Sequence, residues 1–188
     1  MPSHAMDDLR FIRETMESAA SFTAVPGWGG VMIGFTALAA ALVASLRPQV
    51  EWWVAVWGLE ALCAFAVGAS ATFLKARKAQ TPLFSRPGRK FVLGLFPPML
   101  AAAVLSVVIY RAGVINLLPG VWLLLYGAGV VTGGAYSVKV VPIMGLCFMF
   151  AGMVALLSPP AWANSIMAAS FGGLHILFGT IIARRYGG

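Results

Sequence analysis

The chain has 188 residues, of which 60% are hydrophobic and 10% charged, whereas an average soluble domain carries about 25% charged residues. Thirteen Lys and Arg with six Asp and Glu cannot coat a water-exposed fold of this size, which excludes a soluble enzyme or binding domain and makes lipid the expected solvent. The net charge of +7 does not point to nucleic acid, because the cations cluster between apolar runs, where they set membrane topology.

A hydrocarbon core about 30 Å thick takes roughly 20 residues of helix, and after loops this chain has room for six spans in one all-helical bundle. Residues 1–25 form a unit of their own. There Leu9, Ile12, Met16 and Ala19 recur at helical spacing with acids and arginines opposite, which predicts a cytoplasmic amphipathic helix lying on the headgroups or over the mouth of the bundle. Asp7, Asp8, Glu14 and Glu17 in this stretch argue against a cleavable secretory signal.

Residues 26–188 hold the spans. Pro26-Gly27-Trp28 opens the first, 27–46, and Arg47, Pro48 and Gln49 turn the chain into the second, 52–74. A basic connection leads to the third, 91–110. Arg111 to Asn116 return the chain to the fourth, 117–136, and Lys139 marks a short turn into the fifth, 140–157. Ser158-Pro159-Pro160 then separates it from the sixth, 162–183, after which come Arg184 and Arg185. None of these segments alternates as a lipid-facing barrel strand does.

With both termini inside, eleven Lys and Arg fall on the cytoplasmic side and only Arg47 and Arg111 outside. That asymmetry predicts a multi-pass protein of a bacterial inner membrane with cytoplasmic ends. Trp52, Trp53, Trp122, Trp162 and Tyr110 then fall at the outer interface and Trp28, Tyr136 and Tyr186 at the inner one, the depth at which amphipathic rings anchor. The openings Pro26-Gly27-Trp28 and Pro119-Gly120-Val121-Trp122, and the pairs Pro97-Pro98 and Pro159-Pro160, suggest a 3+3 repeat. With three spans per half its two copies are inverted, as in many transporters.

Glu60 and His175 are the ionisable residues deepest in the spans. Each costs about 2.5–3.5 kcal/mol in hydrocarbon on the lenient insertion scale, so each is expected to face the bundle interior and find a partner. By rise per residue Glu60 lies roughly 12 Å below the outer interface and His175 roughly 12 Å above the inner one. Tyr126 matches the depth of Glu60, and Thr36 that of His175. One reading is a proton or cation site, with His175 titrating near neutrality; the other is a pair of interhelical hydrogen bonds.

Gly30 with Gly34, and Gly129 with Gly133, have the spacing that lets helix backbones approach, either within the bundle or against a second copy or partner. Lys75, Arg77, Lys78, Arg86, Arg89 and Lys90 hold their connection inside and are expected to meet anionic lipid headgroups. Cys63 and Cys147 sit in apolar runs without metal or redox spacing. No GxSxG, HExxH or haem-ligand set is present, so neither an enzyme nor a cofactor is expected. Two functions stand: a small transporter or channel for a proton-linked or small uncharged solute, and a non-catalytic membrane subunit that binds partners through its glycine faces.

Overall fold

The computed structural model describes Met6, Asp8 and residues 22–78 and 85–187. The amphipathic helix expected over residues 6–22 falls almost wholly outside them. Within them are six helices long and apolar enough to cross a bilayer. They are α1 (Gly27–Ser45), α2 (Val50–Lys78), α3 (Arg86–Arg111), α4 (Leu118–Gly134, entered through a 3-10 turn at Ile115–Leu117), α5 (Val140–Leu157) and α6 (Pro160–Tyr186).

The helix ends follow local chemistry. Ser85 caps α3 by accepting from the Gly88 N–H, with Pro87 in the first turn, where a missing N–H costs nothing. Gly113, at φ 71°, lets the chain turn out of α3. Helices α2 and α3 extend beyond the expected spans, to Lys78 and back to Arg86. Hydropathy marks where the apolar run stops, whereas Lys and Arg are good helix formers whose long stems carry the charge onward.

Pro97 and Pro98 lie inside α3, not near its start. Pro98 has no N–H for the Gly94 carbonyl four residues back. The Thr132 hydroxyl of α4 donates to that carbonyl instead, at 2.6 Å.

Packing runs α2–α1–α6 on one side and α5–α4–α3 on the other, the two sets meeting where α6 touches α4 and α5, while α2 and α3 barely touch. Glycines make the seams. In α1 against α6, a Cβ on Gly27 would strike the Ala183 backbone, and one on Gly34 would lie 2.7 Å from the Gly172 carbonyl. In α4 against α5, Gly127 and Gly145 each face the other's carbonyl. In α3 against α4, Gly94 faces the Gly133 backbone.

Phe148, Leu118, Leu123 and Met167 are the largest fully buried side chains. The outside is apolar: Phe65, Leu42, Leu62 and Leu157 stand largely exposed, as a lipid-solvated surface requires. One end of the bundle gathers the cations. There residues 22–25 cross from one set to the other. The Phe22 N–H donates to the Tyr136 carbonyl at 2.7 Å, Ser137 Oγ donates to the Phe22 carbonyl at 2.6 Å, and Lys75 Nζ donates to the Val25 carbonyl at 3.0 Å.

Candidate functional site

Helix α6 is not regular. An α turn at Ala163–Met167 passes into a seven-residue π segment, Ala168–Leu174, before α geometry resumes at His175. The π segment contains Ser170, Gly172 and Gly173, residues that hold α geometry weakly. Stretches of this kind are uncommon and collect at functional sites.

The π segment delivers His175 into the bundle, 3% exposed. Its main-chain N–H goes to the Gly172 carbonyl, while ring Nδ1 lies 2.9 Å from the Phe171 carbonyl. A carbonyl only accepts, so Nδ1 carries a proton, and in the neutral ring Nε2 presents a lone pair. The Tyr126 hydroxyl on α4 donates to it at 2.7 Å. Phe171 lies nearly parallel to the imidazole, and Phe148 meets it edge-on at 5.2 Å. A buried histidine thus bridges the two helix sets inside a wall of rings.

Glu60 on α2 is buried and pairs with Thr36 on α1, the Thr36 hydroxyl 2.9 Å from Oε1 and equally 2.9 Å from the Ile33 carbonyl. A hydroxyl has one proton to give. Both contacts are hydrogen bonds when the carboxyl holds its own proton and donates it to Thr36 Oγ1. The partners are therefore the reverse of those suggested by depth: Glu60 takes Thr36, and His175 takes Tyr126. Depth is one coordinate, and it does not say that α1 lies beside α2 and α4 beside α6. Glu60 and His175 are each bonded elsewhere rather than to one another.

A third polar knot was not legible from the ionisable residues. Asn164 Oδ1 accepts from both Trp53 Nε1, at 3.2 Å, and Trp57 Nε1, at 3.1 Å, and its Nδ2 donates to the Ala41 carbonyl at 2.8 Å. Trp53 stacks on Trp122 at 5.6 Å, and Trp122 Nε1 donates to Ser106 Oγ at 2.7 Å. Trp57, 3% exposed, is a core residue, and Trp53 and Trp122 pack inward where the sequence suggested anchoring alone. The signal for this knot was an amide inside an apolar span, which needs partners as much as a charge does. Rings then continue without a gap from Trp122 through Trp53, Trp57 and Phe171 to His175.

The remaining expected positions are distributed as follows. Gly30 faces Gly179 of α6, and Gly34 faces Gly172 and Ile176; Gly129 and Gly133 face Leu95 and Phe91 of α3. Lys75 is turned inward: its ammonium donates to Val25, to the Tyr186 carbonyl at 3.1 Å and to the Gly187 carbonyl, a cation at the C-terminal end of α6 where the helix dipole favours one. Lys90 lies over the Tyr136 ring at 5.3 Å. Arg77, Lys78, Arg86 and Arg89 mark the same end, and Arg86 and Arg89 open α3. Among the described residues no group of three His, Cys, Asp or Glu is placed to hold a metal ion. No family model, curated protein or solved structure matches the chain.

Proposed function

We propose that the chain is a multi-pass protein of a bacterial inner membrane, cationic end inward, that moves a proton-linked or small uncharged solute. The observation that carries the reading is the π segment within α6, which holds His175 against Tyr126 where the two helix sets meet. Such departures from α geometry collect at functional sites, and transporters commonly place their sites on irregular helices between two repeats.

The packing order supports the inverted 3+3 arrangement. Neighbours α1–α2, α3–α4, α4–α5 and α6–α1 pack tightly, while α2–α3 and α5–α6 are the looser pairs. Advancing every helix by three maps the tight pairs onto one another and exchanges α3 with α6, although the contacts of α6 with α4 and α5 have no equal between α3 and α1 or α2. In both helices a side chain takes up a helix carbonyl, Thr132 at Gly94 and His175 at Phe171.

Two surface grooves, along α6 and between α3 and α4, are lined by neither His175 nor Glu60. Transport on this reading requires the sets to part around a closed centre. The test is reconstitution into vesicles loaded with a pH indicator and challenged with a panel of small solutes. Solute-driven proton movement that is lost in Glu60→Gln or His175→Phe is expected. Vesicles that stay silent across the panel, with correctly inserted protein, count against transport.

A second reading, a non-catalytic membrane subunit, is favoured by one observation. Helices α2 and α3 bury few residues, namely Trp57, Glu60 and Ala76 in the first and Pro87, Gly88 and Ile109 in the second. Their open apolar faces leave room for another membrane chain, and crosslinking from Leu62 or Val104 in native membranes distinguishes a protein neighbour from lipid. On either reading the chain is not an enzyme.

A further inference from the structure

Two surface grooves of about 470 Å³ each pair an apolar lining with one cation, the first between two helices and the second along a single helix face. The first lies between α3 and α4, where the close approach of Gly94 to Gly133 leaves a crease walled by Leu93 and Ala135. Lys90 and Tyr136 close it at the cationic end. The second runs along α6 from Gly173, past Ile176, Leu177 and Ile181, to Arg184, which is about 16 Å of helix at 1.5 Å per residue.

In both, the threonine hydroxyl is engaged by helix carbonyls: Thr132 lies 2.6 Å from that of Gly94 and 2.9 Å from that of Ala128, and Thr180 lies 2.7 Å from that of Ile176. What remains is a largely apolar surface with one cation at its mouth, beside Tyr136 in the first groove. Among the described residues Lys90 meets the Tyr136 ring, which steadies an ammonium without neutralising it. Among the described residues neither groove is lined by a carboxylate.

Gly173 adds an independent point. A Cβ built there meets nothing within 4 Å among the described residues, so the groove has room at this position for an apolar group.

From this charge and shape complementarity we infer that both grooves seat an anionic phospholipid of the leaflet at the cationic end, with the phosphate on Lys90 or Arg184 and one acyl chain in the trough. A soluble anion would gain nothing from the apolar walls, and a zwitterionic lipid gains less at the cation. The inference rests on the membrane reading and is independent of transport.

The experiment is native mass spectrometry of the detergent-solubilised chain, titrated with dioleoylphosphatidylglycerol or dioleoylphosphatidylcholine. Two phosphatidylglycerol molecules should be retained in preference to phosphatidylcholine. Lys90→Ala should weaken one of them about fivefold, the worth of one cation at a membrane surface. Gly173→Leu, which fills the second trough while leaving every cation in place, should abolish the other. Lys139→Ala, which removes a cation of the same end outside both grooves, should change neither.

Equal retention of the two lipids, or equal losses in Lys90→Ala and Lys139→Ala, overturns the inference, and displacement by glycerol phosphate assigns the cations to a free anion instead. Recovery of the chain in the carbonate-wash supernatant overturns the membrane reading and this one together. A membrane-retained chain with no lipid preference overturns this one alone.

Discussion

The Tyr126 hydroxyl and His175 Nε2 stand 2.7 Å apart and tie α4 to α6 across the junction of the two helix sets. The second ring nitrogen faces the Phe171 carbonyl, so in the neutral ring the bond runs from tyrosine to histidine. Protonating the ring would turn Nε2 into a donor and leave the tyrosine proton without its acceptor.

Tyr126→Phe should therefore destabilise the bundle by about 1–3 kcal/mol, the cost of an unpaired buried nitrogen. Pairing it with His175→Phe should recover part of that loss. The double-mutant cycle, read from unfolding in mixed micelles, is expected to give a coupling of about 0.6–1.7 kcal/mol, the range for hydrogen bonds between membrane helices. A coupling of zero would mean that the two groups do not bond.

Thr36 makes a second prediction. If Glu60 donates its own proton to the threonine hydroxyl, infrared spectra should show a protonated-carboxyl C=O band at neutral pH that disappears in Glu60→Gln. Glutamine keeps both a donor and an acceptor in place, so that variant should fold with a stability change below about 1 kcal/mol. Absence of the protonated-carboxyl band in the wild type, or its persistence in Glu60→Gln, refutes the proton count.

Asn164→Ala should leave the Trp53 and Trp57 indole N–H groups without their shared acceptor, at a cost of about 1–3 kcal/mol. The emission of the tryptophans should change as Trp53 and Trp57 lose a shared acceptor. Unaltered emission and stability would show that the amide knot contributes nothing to the fold.

Glycine positions divide sharply. A Cβ at Gly145 lies 2.7 Å from both the Gly127 carbonyl and the Val131 nitrogen, whereas one at Gly58 meets nothing within 4 Å. Gly145→Ala should push α4 and α5 apart and cost about 1–3 kcal/mol. Gly58→Ala should be neutral or stabilising by up to about 1 kcal/mol through helix propensity. Equal melting temperatures for the two variants would contradict the packing described for α4 and α5.

Hydropathy and turn residues were enough to locate six helices, because apolar length is a local property that a single sequence displays. What they could not supply was neighbourhood. Thr36 and Tyr126 were visible as polar residues in spans, but which acid or imidazole each would meet depends on the order of helices around the bundle. The π segment has no proline to announce it, only Ser170 and the Gly172-Gly173 pair, and its effect on His175 emerges from backbone geometry. Asn164 was overlooked for a simpler reason: attention went to charge, while an amide in hydrocarbon carries the same demand for partners.

Residues 22–25 are bonded on one side to the turn between α4 and α5 and on the other to α2. A hinge motion that spread the cationic end would load this short tether from both directions at once, and its hydrogen bonds would have to yield before the gap could widen. Any force or binding event acting on the polypeptide just upstream would thereby be applied to both helix sets together, so that on the transport reading this stretch is where outside control of their separation would enter.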